Sequence, residues 1–147
     1  MHDDTNIASC ELLSSPETVR RELPVSVALQ QQIRLWRREI VDIITGRDRR
    51  LLVIVGPCSV HHPAAALEYA RRLLDLRARV AERYCLVMRA YFEKPRTTLG
   101  WKGLIYDPDL NGDYNIEKGI VTARQLLLDL AAMGMPAASE VLDPVMS

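Results

Sequence analysis

Leu51-Leu52-Val53-Ile54-Val55-Gly56-Pro57-Cys58-Ser59-Val60-His61 is the stretch that decides the fold. Its first five residues form an uninterrupted apolar run of strand length, the pattern of a strand covered on both faces in a parallel sheet. Gly56-Pro57 ends the run, because proline has no amide hydrogen for a strand ladder and glycine allows the turn. Cys58, Ser59 and His61 therefore fall at the carboxyl end of the strand, where parallel α/β folds carry their sites.

Downstream, Pro63 opens a helix through about residue 82, with Leu67, Ala70, Leu73, Leu74 and Val80 toward one side. Residues 85–92 read as a second strand and run into a long loop that continues past Trp101 and Tyr106 to Tyr114. A helix over about residues 117–133 follows, with Ile120, Ala123, Leu127 and Leu130 on one face and Gly134 at its end. Residues 137–142 read as a third strand.

Upstream, residues 1–14 are polar and unpatterned. Ser15-Pro16-Glu17 has the cap, first-turn proline and acidic first turn of a short helix that Pro24 ends. Ser26 caps a longer helix in which Ile33, Trp36, Ile40, Ile43 and Ile44 recur at helical spacing, closed by Gly46. Two units are expected: an N-terminal arm and helix over residues 1–45, and an α/β unit over residues 46–147. Three parallel strands leave a free edge, and a closed eight-unit barrel takes about 250 residues, so the chain reads as part of a larger design.

Composition narrows the function classes. With 48% apolar residues in 147 the chain can build one core, and 19 basic residues balance 19 acidic ones. Neutrality excludes a broad electrostatic footprint for nucleic acid or an anionic membrane, so any affinity for anions is local. No apolar stretch reaches the roughly 18 residues of a membrane span, and the first fifteen positions carry Asp3, Asp4 and Glu11 instead of a signal sequence. A cytoplasmic location is expected. Cys10, Cys58 and Cys85 have no CxxC spacing, which argues for reduced thiols and against a structural zinc site made by this chain alone.

The second chemistry-bearing stretch is Arg89-Ala90-Tyr91-Phe92-Glu93-Lys94-Pro95-Arg96-Thr97-Thr98-Leu99-Gly100-Trp101-Lys102-Gly103. Arg offers a planar fork and Lys a point charge, while Gly brings the backbone close, so Arg89, Lys94, Arg96 and Lys102 suit a ligand with more than one phosphate or carboxylate group. Each charge-assisted contact is worth about 1.5–3 kcal/mol. Cys58 could bind a metal or attack a substrate as thiolate, or pack as a small apolar residue. His61 could act in proton transfer or simply begin the next helix. Glu140, mid-strand among apolar residues, must find a partner such as Lys94 or Arg89, or else raise its pKa. Glu93 beside Lys94 reads as an ion pair, Met133 and Met135 as core, and Arg71, Arg72 and Arg79 as a solvated helix face.

These residues resemble the bacterial type I 3-deoxy-D-arabino-heptulosonate 7-phosphate (DAHP) synthases, also called phospho-2-dehydro-3-deoxyheptonate aldolases. The likeness covers about residues 15–147 and is carried by Gly-Arg-Asp-Arg-Arg-Leu-Leu-Val-Ile-Val-Gly-Pro-Cys-Ser-Val-His at 46–61 and Met-Arg-Ala-Tyr-Phe-Glu-Lys-Pro-Arg-Thr-Thr-Leu-Gly-Trp-Lys-Gly-Leu-Ile at 88–105. Leu-Leu-Leu-Asp at 126–129 adds to it. The resemblance implies an α/β fold that is an incomplete (β/α)8 TIM barrel, its first three strands preceded by a helical N-terminal arm. It implies a transferase that joins phosphoenolpyruvate to erythrose 4-phosphate in the first step of the shikimate pathway.

Residue by residue, it implies Cys58 as a ligand of a divalent metal (Mn2+, Fe2+ or similar) whose remaining ligands lie outside this chain. Arg89 and Lys94 would contact phosphoenolpyruvate, and Pro95, Arg96 and Thr97 would hold the tetrose phosphate. Lys94 and His61 would be catalytic and Glu140 a further substrate contact. It also implies feedback by an aromatic amino acid through residues 1–45 and nearby loops, and a homo-oligomer when complete. Related synthases of 3-deoxy-octulosonate 8-phosphate usually carry Lys-Ala-Asn-Arg where this chain has Lys94-Pro95-Arg96-Thr97, which favours the tetrose. His62 stands where the family usually has Asp, and Ser139 where Gly, Ala or Thr is common. By itself the chain is expected to be inactive and poorly stable. The alternative is a truncated, non-catalytic chain that pairs with itself or with an intact synthase.

Overall fold

The computed structural model describes residues 11–94 and 99–140. Four helices and three strands follow in the order α1 (Pro16–Glu22), α2 (Val27–Ile44), β1 (Leu51–Val55), α3 (Pro63–Val80), β2 (Tyr84–Arg89), α4 (Ile116–Ala132) and β3 (Ala137–Ala138). Local chemistry accounts for the helix starts. The Ser15 and Ser26 hydroxyls accept from the amides of Thr18 and Leu29, Pro16 and Pro63 occupy first turns, and Asn115 accepts from the Lys118 amide. At α3 the cap is His62, whose Nδ1 accepts from the Ala65 amide at 3.3 Å. An acceptor is what a cap position requires, and the ring nitrogen supplies one.

The strands form one parallel sheet in the order β1-β2-β3. Leu51 pairs with Tyr84 and Val55 with Met88, while Met88 and Arg89 pair with Ala137 and Ala138. Each crossover is a helix, as parallel strands require. Ala66, Ala70 and Leu73 of α3 and Ala123, Leu126 and Leu130 of α4 close a core on Leu86 and Met88, with Met135 also buried in it. Trp36 is the buried residue of α2, which lies against β1 and α4. The arm is tied down by the Ser14 amide donating to Glu117 and by Arg124 donating twice to the Leu23 carbonyl, at 3.0 and 2.7 Å.

Three expectations change. The first strand is not covered on both faces: Leu51 is 62% and Ile54 53% exposed, because β1 is an edge strand with β2 as its one partner among the described residues. The second strand ends at Arg89, since residues 92 and 93 turn away to pair with a returning loop. The third is a two-residue strand over Ala137–Ala138; Ser139 and Glu140 lie beyond its ladder, and positions 141 and 142 fall outside the described residues. Cys58 and Cys85 are free thiols, and Arg71 and Arg72 lie exposed beside Glu68. Among the described residues no helix is long and apolar enough to cross a membrane.

Candidate active site

The carboxyl ends of β1 and β2 are held together by backbone. A Cβ on Gly56 would collide with the Arg89 carbonyl, so only glycine permits this approach. Beyond the turn at Pro57, the Val60 amide donates to the Tyr91 carbonyl at 2.7 Å and the Ser59 hydroxyl to the same oxygen at 3.4 Å. Val60 is buried beneath, which leaves Cys58 exposed above.

After β2 the chain doubles back. Glu93 bridges Gly103 antiparallel, the Lys94 amide donates to the Lys102 carbonyl at 2.9 Å, and the Ile105 amide to the Phe92 carbonyl at 3.3 Å. Gly103 has φ +114°, and a side chain there would strike the Phe92 carbonyl. Farther out, the buried Asp107 accepts from the amides of Asn111 and Gly112, while its own carbonyl accepts from Trp101 Nε1 at 2.8 Å. The described part of the loop after residue 98 is thereby given a fixed course.

The ladder delivers Lys94 to Cys58, with Nζ donating to Sγ at 3.1 Å. That hydrogen bond, then the ammonium charge and more weakly Arg89, holds the Cys58 thiol below its ordinary value, so the thiolate is favoured. Arg89 lays its guanidinium over the Tyr91 ring, with Cζ 3.9 Å from the centroid. Its Nε is buried without a hydrogen-bond partner. His61, exposed on the β1 side, sets its ring edge-on to Trp101 at 6.5 Å.

Glu140 does not pair with Lys94 or Arg89. Its Oε1 accepts from the Glu93 amide at 3.1 Å and its Oε2 is buried without a partner, because two residues past β3 it stands level with the start of the returning loop. Cys58, Lys94 and Arg89 are thus brought together, with His61 at one flank and Glu140 at the other. Pro95, Arg96 and Thr97 lie outside the described residues. Tyr91, Trp101 and Asp107 are further site-building residues that sequence reasoning missed. Of these, Asp107 had a signal in the Asn111-Gly112 turn four residues later.

As a metal site the described residues are incomplete. Cys58 supplies a thiolate-prone sulfur, but no group of three His, Cys, Asp or Glu side chains among the described residues could hold an ion.

The DAHP synthetase I family model matches residues 22–147. A phospho-2-dehydro-3-deoxyheptonate aldolase of Amycolatopsis methanolica is 56% identical over 133 residues, covering 90% of this chain and 66% of its own length. The Tyr-sensitive phospho-2-dehydro-3-deoxyheptonate aldolase of Escherichia coli (strain K12) is 51% identical over 142 residues, covering 97% of this chain and 40% of its own. The structure of phospho-2-dehydro-3-deoxyheptonate aldolase from Francisella tularensis SCHU S4 superposes with a TM-score of 0.91 at 47% identity, over 96% of this chain and 41% of that one. The chain thus spans between 40% and 66% of the length of these relatives.

Proposed function

The chain belongs to the DAHP synthetase I family, and on that premise we propose that it forms the helical arm and first three strands of a (β/α)8 barrel whose reaction condenses phosphoenolpyruvate with erythrose 4-phosphate. The observation that carries the reading is the Lys94 ammonium 3.1 Å from the Cys58 sulfur, with Arg89 beside them at the same strand ends. Two cations at a strand mouth suit an enol phosphate that carries two anionic groups, a carboxylate and a phosphate.

In the proposed reaction Arg89 and Lys94 fix the carboxylate and phosphate of phosphoenolpyruvate, while Pro95, Arg96 and Thr97 hold the phosphate of the tetrose. Carbon 3 of the enol attacks the aldehyde carbon, the aldehyde oxygen takes up a proton, and water adds at carbon 2 before inorganic phosphate departs. Lys94, beside Cys58, and His61, at one flank, are the groups that donate and accept these protons. Glu140, whose Oε1 accepts from the Glu93 amide, is assigned as a further substrate contact. We assign Cys58 as one ligand of a divalent metal, Mn2+ or Fe2+ or similar, with the remaining ligands outside this chain.

Relatives of this chain bear the names Trp-sensitive and Tyr-sensitive, which supports feedback by an aromatic amino acid, with residues 1–45 as a contact region. A homo-oligomer in the cytoplasm completes the proposal.

Calorimetric titration of the purified chain with phosphoenolpyruvate tests the site. Saturable binding that falls about tenfold or more in Arg89→Ala and in Lys94→Ala is expected. No binding, or binding indifferent to both changes, would overturn it. With both substrates and manganese the chain alone should turn over no faster than Cys58→Ala. A second reading, a non-catalytic chain that pairs with itself or with an intact synthase, is favoured by the exposed Leu51, Ile54 and Val55 on a strand edge that is unpaired among the described residues. Co-elution with an intact synthase in size-exclusion chromatography would support it, and separate elution would not.

A further inference from the structure

We propose that Tyr91 is the positioning residue of the anion site: its ring holds the Arg89 guanidinium by a cation–π stack, and its backbone fixes that ring to the Cys58 loop. The inference rests on the reading of Arg89 and Lys94 as phosphoenolpyruvate contacts and adds how the arginine is aimed.

Arg89 is the last residue of β2 and Tyr91 lies two residues beyond it, while Met88 and Ala90, before and between them, are fully buried. The guanidinium carbon lies 3.9 Å from the ring centroid, well inside the roughly 6 Å reach of a cation over an aromatic face. Nε is buried and unbonded, so the edge of the fork nearest the backbone gains nothing from hydrogen bonds. The ring face replaces them. The other end of the fork reaches toward Cys58, close enough to help depress that thiol.

The second half of the device is the Tyr91 carbonyl. It accepts from the Val60 amide at 2.7 Å and from the Ser59 hydroxyl at 3.4 Å, the residues directly after Cys58. Any movement of the Tyr91 backbone, from which the ring projects, relative to the Cys58 loop must break these bonds. An arginine has several free torsions, and freezing them on anion capture costs affinity; a guanidinium already stacked has lost that freedom in advance. Tyr91 thus makes one unit of two strand ends, and sets the distance between the arginine fork and the Lys94–Cys58 pair.

The ring face is the active element, so the phenolic hydroxyl should be dispensable. Phosphoenolpyruvate titrations of the purified chain are expected to give Tyr91→Phe within about twofold of the unsubstituted chain and Tyr91→Leu about fivefold weaker, with the thermal midpoints of both unchanged. Incorporating phenylalanines of increasing ring fluorination at position 91 preserves shape while draining the quadrupole, which keeps the test alive should Tyr91→Leu fold poorly. Affinity should then fall stepwise with each fluorine. A flat fluorination series, or Tyr91→Leu binding as tightly as the parent while Arg89→Ala binds weakly, overturns the role of Tyr91 and leaves the anion site standing. If Arg89→Ala itself binds as well as the parent, or nothing binds, the site reading falls and this inference with it.

Discussion

β1 and β2 have apolar stretches of similar length and opposite fates. Leu-Leu-Val-Ile-Val of β1 is entirely apolar, yet Leu51, Ile54 and Val55 are exposed; β2 carries Tyr84 and Arg89 at its ends, yet Cys85 through Met88 are buried. Composition gives a strand its capacity for burial, and neighbours determine whether that capacity is used. β2 has a strand on each side and helices α3 and α4 packed with it into one core; β1 has β2 alone in the sheet among the described residues. The candidate site straddles this boundary, with Arg89 at the end of the well-supported strand, Lys94 in the loop after it, and the thiol in the turn after the edge strand. Cys58 keeps its place through the close approach at Gly56 and the bonds to Tyr91.

Paired truncations probe the contrast most strongly. Met88→Ala removes a fully buried side chain and should cost about 2–5 kcal/mol in urea unfolding, whereas Ile54→Ala, on an open face, should stay within about 0.5 kcal/mol. Equal losses would mean that β1 is covered in solution. Gly56→Ala is the next test, since it drives a methyl group into the Arg89 carbonyl where the two strands meet. A cost of about 1–3 kcal/mol is expected, measured the same way, together with slower rebinding of the thiol loop seen as faster alkylation of Cys58.

The two cysteines sharpen the contrast chemically. Burial raises the Cys85 thiol, whereas Lys94 depresses that of Cys58. The group with the lowered value keeps its thiolate as pH falls, so iodoacetamide should label Cys58 at a lower pH midpoint than an ordinary thiol and label Cys85 only on unfolding. Lys94→Met should move the Cys58 midpoint upward; an unmoved midpoint would separate the two groups. The smallest effect belongs to the α3 cap beyond β1. His62→Ala should lose about 0.5–1 kcal/mol and His62→Asp should lose nothing or gain slightly, read as thermal midpoints.

Much of this was legible in the sequence because it obeys local rules. Caps at Ser15 and Ser26, the prolines at 16 and 63, the stop at Gly56-Pro57 and the helix end at Gly134 each act within a few residues. Grouping Cys58 with the cations at 89 and 94 followed from two strand ends, and the Lys94–Cys58 contact agrees with it. What was missed depends on distant partners. Exposure of β1 is a property of the sheet edge, and the ladder between Glu93 and Gly103 spans ten residues with no period to reveal it. Charge alone pairs Glu140 with a cation, yet its Oε1 takes a backbone amide instead. Nothing local in the sequence marks Tyr91, whose carbonyl meets an amide at the other strand end.

Protection of Cys58 by phosphoenolpyruvate is the most direct measurement of whether thiol and cations form one pocket. Alkylation of Cys58, followed by mass spectrometry, should slow as phosphoenolpyruvate saturates the chain and regain its full rate in Arg89→Ala at the same concentration. Saturation that leaves the Cys58 rate untouched would place the anion and the sulfur in separate sites and contradict the account.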